Sequence, residues 1–233
     1  SHKTLVSLAT GGILTDLTVL PDGSRVVATR MGGTPALWTL DTATHSRVAE
    51  HPLAGQPLAL ATAPDGAVLV ALETGLVLRL NPDTGATLAT GTAGGSPTGL
   101  AVAGNRLAVA NMRSGDVSLL SYPELAPIAR KTVGPDPQKV AASPDGTRFY
   151  VSVKGSNQVM FLAASDLATV ASPEVATGPV GLALSPDGGW LYVACREGAA
   201  LVTLDARTGA ELHRTTPQPS SAPFGVVVVP TLR

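Results

Sequence analysis

The sequence predicts an all-β fold built from five copies of one unit of four short strands. The tripeptide Pro-Asp-Gly occurs four times, beginning at Pro21, Pro64, Pro144 and Pro186, with 43 residues between the first two copies and 42 between the last two. The middle gap is nearly two such periods, and Ala103-Gly104-Asn105-Arg106 stands at its centre, where a fifth turn is expected. With 25 Gly and 19 Pro in 233 residues, many short elements are favoured over long helices.

Each repeat contains three clear apolar runs and a weaker, Thr-rich fourth run. The runs that lead into the turns are residues 17–20, 58–61, 100–102, 140–142 and 182–184. The runs that leave them are residues 26–28, 68–72, 107–110, 149–153 and 191–194. The third runs are residues 37–40, 77–80, 117–120, 159–162 and 201–204. Short runs rich in Val and Leu, bounded by Gly, Pro, Asn and Asp, are typical of strands.

Four antiparallel strands in a period of 40–45 residues are the pattern of a β-propeller blade. We therefore predict a single β-propeller domain over residues 1–233. Its repeats are expected at about 11–54, 55–93, 94–133, 134–177 and 178–220, followed by a partial repeat at 221–233.

Composition excludes several classes of protein. Only 14% of residues are charged and the net charge is −1, so no general attraction to nucleic acid is expected. No apolar run is long enough to span a bilayer. Cys195 is the only cysteine, which excludes disulfides within the chain and cysteine-based zinc sites.

The fourth and fifth repeats resemble the YVTN family of β-propeller repeats. The resemblance is carried by Phe149–Val153 and Leu191–Cys195, each directly after Ser-Pro-Asp-Gly, by the lead-in Gly178–Gly188, and by Leu201–Asp205. The first three repeats keep the spacing. In place of the Tyr-Val-Thr-Asn motif that gives the family its name, they have Val-Val-Ala-Thr, Leu-Val-Ala-Leu and Ala-Val-Ala-Asn.

This resemblance implies a non-catalytic binding or interaction scaffold in a bacterium or archaeon, periplasmic, secreted or on the cell surface. No signal peptide is recognised in the sequence. The family is also similar in fold to seven-bladed lactonases, so the alternative is a lactonase-like hydrolase acting at the channel mouth. That class needs metal-binding carboxylates and histidines on the inner loops, and this sequence does not supply them.

The two ends do not complete a whole number of blades. Seven blades of this period need about 290 residues. Thr4–Leu8 resembles an outer strand, and Pro223–Val229 resembles the inner strand of a sixth repeat. Three arrangements stay open: five blades with extra edge strands, a partial sixth blade, or a piece of a longer protein. An exposed edge at Val226–Val229 would favour oligomerisation.

Catalytic and metal-binding patterns are not found, so we expect no enzyme activity, metal or cofactor. His2, His45, His51 and His213 are scattered and lack carboxylate partners at ligand spacing. The Gly-rich stretch 94–99 has neither the lysine nor the helix of a phosphate loop. We expect Cys195 to be a small buried hydrophobe.

Charge is the remaining signal for a site. Arg30, Arg113, Lys154 and Arg196 open the loops after four second strands, with Glu73 as the exception, whereas most Asp residues fall in turns at the opposite end. One interpretation is only that Asp suits turns and Arg suits solvated loops. The other is that the four cations bind a protein, a polysaccharide or a small anion at the loop face. The turn face, with compact Asp-Gly turns, is expected to be the poorer site.

Overall fold

The computed structural model describes residues 11–216 and 223–227, and these residues form five four-stranded antiparallel sheets. In every sheet the four strands lie side by side in chain order. The predicted all-β, propeller-like fold is therefore confirmed. The helical content of the described residues is one short 3₁₀ turn, Lys154–Ser156.

The strands fall within the predicted repeats. Sheet 1 contains β1 (Ile13–Val19), β2 (Arg25–Met31), β3 (Ala36–Asp41) and β4 (Arg47–Pro52). Sheet 2 contains β5 (Pro57–Thr62), β6 (Val68–Leu72), β7 (Leu76–Leu80) and β8 (Thr87–Thr92). Sheet 3 contains β9 (Pro97–Ala103), β10 (Arg106–Asn111), β11 (Asp116–Ser121) and β12 (Pro127–Thr132). Sheet 4 contains β13 (Pro137–Ala142), β14 (Arg148–Val153), β15 (Gln158–Ala163) and β16 (Thr169–Ala171). Sheet 5 contains β17 (Pro179–Leu184), β18 (Trp190–Cys195), β19 (Ala200–Asp205) and β20 (Glu211–Thr215).

The chain divides into two compact units, Ser1–Thr90 and Gly91–Arg233. The first unit holds sheet 1 and nearly all of sheet 2, and the second holds sheets 3, 4 and 5. A single domain over residues 1–233 stays a prediction.

The Pro-Asp-Gly turns connect first and second strands, and local hydrogen bonds hold them. The glycines have φ between 70° and 80°, the left-handed region in which a side chain is strained. Asp145 Oδ1 accepts a hydrogen bond from the Thr147 amide at 3.0 Å, and Asp187 Oδ1 accepts one from the Gly189 amide at 3.1 Å. Because the Ser143 and Ser185 hydroxyls also donate to these carboxylates, the pKa of each aspartate is lowered.

The core of each unit lies between consecutive sheets. Successive residues of β14 alternate between two apolar clusters: Phe149 and Val151 pack with sheet 3, whereas Tyr150 packs with sheet 5. This alternation is the period-2 geometry of a strand buried on both faces. In the first unit, Val27 and Leu37 of sheet 1 pack with Leu60 of sheet 2 in the same way.

The first strands of sheets 3 and 4 approach each other closely at Gly99. A Cβ at this position would lie 2.8 Å from the Val140 amide nitrogen and 2.9 Å from Lys139 Cα. Both are backbone atoms and have no rotamer to change. The glycine therefore sets the distance between two neighbouring sheets.

We predict that Gly99→Ala destabilises the protein by about 1–3 kcal/mol, the usual cost of overpacking a rigid site. Gly225→Ala is the matched control, because a Cβ there would meet nothing within 4 Å. The midpoint of urea unfolding measures both variants. An equal loss of stability in both would contradict the argument from close approach.

Two strand predictions at the ends lie wholly or partly outside the described residues. Thr4–Leu8 belongs to residues 1–10, which are not described. Val228 and Val229, the end of the other predicted strand, are not described either. The described part of the predicted inner strand, Pro223–Val227, is not assigned as a strand. Its backbone nevertheless lies against sheet 5, with Gly225 Cα 3.0 Å from the Cβ position of Gly181.

Candidate functional site

Two of the four predicted cations are already paired with carboxylates. Arg30 lies inside β2 rather than in the following loop, and its guanidinium is 2.9 Å from Glu50 Oε1. Lys154 Nζ is 3.1 Å from Glu197 Oε1 and 3.6 Å from Asp136 Oδ2. The hydrogen bond to Glu197 is the main reason that the pKa of Lys154 is raised. An incoming anion would have to compete with these carboxylates.

The other two predicted cations are exposed. Arg113 is in the loop after β10; its backbone amide donates to the Gly95 carbonyl, and its guanidinium forms no hydrogen bond or ion pair with the described residues. Arg196 is in the loop after β18, and its guanidinium carbon lies 5.2 Å from the centre of the Phe224 ring. Phe224 itself is 70% exposed. We call Arg113, Arg196 and Phe224 the loop-end surface of the second unit.

A cleft of about 610 Å³ opens at the turn end of sheets 4 and 5, where sequence reasoning expected little. Tyr150 Oη donates a hydrogen bond to the Ala206 carbonyl at 2.9 Å, and Arg148 donates to the Arg207 carbonyl at 2.7 Å. Gly188 and Gly189, the pair of glycines after Asp187, line the cleft together with Thr147 of sheet 4.

Three of the charged residues of this cleft are engaged by the fold. One oxygen of Asp145 and one of Asp187 hold their own turns. Arg148 bridges sheet 4 to the third-to-fourth turn of sheet 5. The exposed Arg207 also lines the cleft, and its guanidinium forms no hydrogen bond or ion pair with the described residues.

Sheet 3 contains a buried polar cluster that the sequence did not indicate. Asn111 Nδ2 donates to Asp116 Oδ1 at 2.7 Å and to Ser118 Oγ at 2.9 Å, and Asp116 Oδ2 pairs with Arg130 at 2.8 Å. Asn111 Oδ1 is buried and has no partner among the described residues. Asn, Asp and Ser between strands are typical of turns, so the pattern gave no warning of burial.

The described residues contain no group of three or more His, Cys, Asp and Glu placed to hold a metal ion. His51 Nε2, on β4, is 3.2 Å from the carbonyl oxygen of Asp83, in the turn between β7 and β8. Nor does any helix of the described part have the length and apolarity needed to cross a membrane.

Cys195 is fully buried at the end of β18, as expected. Burial raises the pKa of its thiol to about 11. Because the thiolate is the reactive form, a thiol with this pKa is a poor nucleophile at neutral pH.

We therefore predict that iodoacetamide leaves Cys195 unmodified in the native protein at mildly alkaline pH. The same reagent should modify it fully in concentrated guanidinium chloride. Mass spectrometry of the intact chain measures both states. Rapid alkylation of the native protein would show that the thiol is accessible or activated.

Exposed apolar side chains are of two kinds. One kind repeats: the second residue of every fourth strand is an exposed aliphatic. These residues are Val48, Leu88, Ile128, Val170 and Leu212. A feature shared by all five repeats belongs to the repeat and marks no particular site. The other kind does not repeat. It comprises four residues of β1, one residue after β10 and three residues at sheet 5: Ile13, Leu14, Leu17, Val19, Met112, Trp190, Phe224 and Val227.

Comparison with known proteins supports the fold. No family model matches the chain, and no curated protein matches it either. A crystal structure of a functionally unknown protein from Desulfotomaculum acetoxidans matches with a TM-score of 0.78 at 16% identity, over 92% of this chain and 74% of that one. A candidate 6-phosphogluconolactonase from Bacteroides fragilis matches with a TM-score of 0.73 at 18% identity, over 90% and 71%. Another from Bacteroides uniformis matches with a TM-score of 0.73 at 20% identity, over 89% and 71%. The chain is thus similar in fold to lactonase-like β-propellers.

Proposed function

We propose that the protein is a non-catalytic binding scaffold that uses the loop-end surface of its second unit. The observation that carries this proposal is the exposed Phe224 ring with the Arg196 guanidinium against it. Aromatic and arginine side chains are the residues most enriched at binding hot spots. Covering this exposed ring on binding would remove apolar surface from water, which would stabilise a complex.

The proposed ligand class is a protein segment, a polysaccharide or a small molecule that carries negative charge. Arg113 and Arg196 supply positive charge without a carboxylate partner among the described residues, whereas Arg30 and Lys154 are neutralised within the fold. A guanidinium binds a carboxylate or phosphate through two parallel hydrogen bonds. A location outside the cytoplasm is part of the proposal, supported by the YVTN resemblance of the fourth and fifth repeats.

A lactonase-like hydrolase is the second candidate function. It is favoured by the two solved structures named as candidate 6-phosphogluconolactonases. The likeness is one of fold, and a fold hosts many unrelated activities. Separating the two candidates requires an assay of both binding and turnover on one preparation.

The binding assay uses an oligogalacturonate, a carboxylate-rich polysaccharide, and inorganic phosphate as probes in separate titrations by calorimetry. We expect saturable binding of at least one probe, weakened about tenfold or more by Arg113→Glu with Arg196→Glu, since charge-assisted hydrogen bonds become repulsions. Arg207→Glu, an exposed arginine at the turn end, is the control and should leave binding unchanged. Equal weakening by the control would place the site elsewhere.

The turnover assay follows hydrolysis of 6-phosphogluconolactone by the same preparation. The binding proposal expects no rate above the uncatalysed hydrolysis. Saturable hydrolysis that survives repeated purification would favour the second candidate and overturn the non-catalytic assignment.

A further inference from the structure

Beyond the proposed loop-end surface, we infer that the cleft between sheets 4 and 5 is a second binding site, which takes a short peptide with a free amino terminus and a free carboxyl terminus. The cleft lies at the turn end of these two sheets, within the second unit, and measures about 610 Å³. This volume is within the range of small-molecule sites. Four charged side chains line it: Asp145, Arg148, Asp187 and Arg207.

The cleft differs from the corresponding cleft one repeat earlier. Between sheets 3 and 4 the equivalent space measures about 380 Å³, and Arg106 is the one charged residue among the described residues that line it. Arg207 stands where that smaller cleft has Ser165, each two residues after the end of a third strand. The groove between repeats therefore belongs to the fold, whereas the larger volume and the added charges are particular to sheets 4 and 5.

The two aspartates of the cleft each have one oxygen to spare. Oδ1 of Asp145 and Oδ1 of Asp187 hold their own turns, whereas Oδ2 of each has no hydrogen bond or ion pair with the described residues. The first two Pro-Asp-Gly turns differ in this respect. Asp22 Oδ2 accepts a hydrogen bond from a serine of its turn at 2.8 Å, and Asp65 Oδ2 pairs with Arg79 at 2.5 Å. A spare oxygen is thus not a general property of this turn.

Arg207 supplies the opposite charge at the cleft. Its guanidinium is exposed and has no hydrogen bond or ion pair with the described residues. Asp205, in the same turn, accepts hydrogen bonds from the Arg207 and Thr208 amides instead. Arg148, in contrast, donates to the carbonyls of Ala206 and Arg207 and is engaged by the fold. The cleft thus offers a ligand two carboxylate acceptors and one guanidinium donor.

This set of groups excludes simpler ligands. Hydrogen bonds from the Ser143 and Ser185 hydroxyls are the main reason that the pKa values of Asp145 and Asp187 are lowered, so both are charged at neutral pH and repel an anion. A calcium ion needs six to eight oxygens, and the described residues hold no metal-binding group of three acidic, histidine or cysteine side chains. A saccharide would find no ring to stack on, because Tyr150, the one aromatic residue among the described lining residues, is 2% exposed.

A peptide with free ends satisfies both kinds of group at once. We expect its ammonium at Asp145 and Asp187 and its carboxylate at Arg207, since charge-assisted hydrogen bonds are the stronger ones. Asp145 is in the first turn of sheet 4 and Arg207 is in the last turn of sheet 5, so the ligand has to reach across the cleft. A free amino acid carries both charges on one carbon atom, whereas two or three residues separate them by several ångströms.

The test uses trialanine with free ends as the probe and two-dimensional NMR of the isotope-labelled protein as the readout. We expect saturable shifts of the amide signals of Thr147, Gly188 and Gly189, which line the cleft. Acetylation of the amino terminus and amidation of the carboxyl terminus should each weaken binding about threefold to fivefold, because each removes one exposed charge pair.

Charge-removing variants assign the two ends of the peptide. Arg207→Gln should weaken trialanine by about the same factor but leave the affinity for trialanine amide unchanged, because that probe already lacks the carboxylate. Asp145→Asn with Asp187→Asn should weaken trialanine about threefold or more and leave the affinity for N-acetyl-trialanine unchanged. Asparagine keeps the side-chain oxygen that holds each turn. Asp166→Asn is the matched control, because Asp166 is exposed and holds its own turn through the Ala168 amide at 2.9 Å but does not line the cleft.

Four outcomes would overturn the inference. They are the absence of saturable shifts at the three amides, equal affinity for free and blocked peptides, a loss of affinity in Asp166→Asn as large as in the cleft variants, and the same shifts produced by inorganic phosphate alone. Arg113→Glu with Arg196→Glu should leave trialanine binding unchanged. Failure of the loop-end proposal is therefore distinguishable from failure here.

Discussion

The interaction on which this structure depends is the packing of one sheet face on the next. Every sheet of this chain is only four strands wide, and its central strands carry apolar residues on both faces. A sheet of this kind cannot bury both faces alone, so each repeat is stabilised by its neighbours. Gly99 shows how close this packing is, because there the first strands of sheets 3 and 4 come within backbone contact.

The features that the sequence predicted are local. Asp145 and Asp187 hold the amide two residues further along, and the following glycine accepts a positive φ, so spacing alone located the turns and hence the strands. The ion-pair partners of the predicted cations, in contrast, come from distant parts of the sequence. Lys154 is paired with Glu197 of the following repeat, and no feature of either loop shows that packing will bring these side chains together. The same reason applies to Asn111, whose burial follows from the surrounding sheet.

Equivalent residues of different repeats differ in burial. Leu60 and Val140, in the first strands of sheets 2 and 4, are buried because each faces the preceding sheet. Leu17 holds the same position in sheet 1 and is 63% exposed. Trp190 and Tyr192 of sheet 5 are the corresponding case on the opposite face of a sheet. A sequence repeat cannot distinguish these positions, since the residue types are alike and only the neighbour differs.

The position four residues after the proline of a Pro-Asp-Gly turn makes different contacts in different repeats. Arg25 reaches Asp41 of its own sheet at 2.6 Å, and Arg148 reaches carbonyls of the next sheet. The guanidinium of each arginine binds groups that the fold fixes in place. Trp190 has one donor and a large apolar surface, so the stabilisation it provides grows with the area a neighbour covers. At this position Arg148 thus joins two sheets through hydrogen bonds to a turn, Arg25 stabilises its own sheet, and Trp190 presents mainly apolar surface.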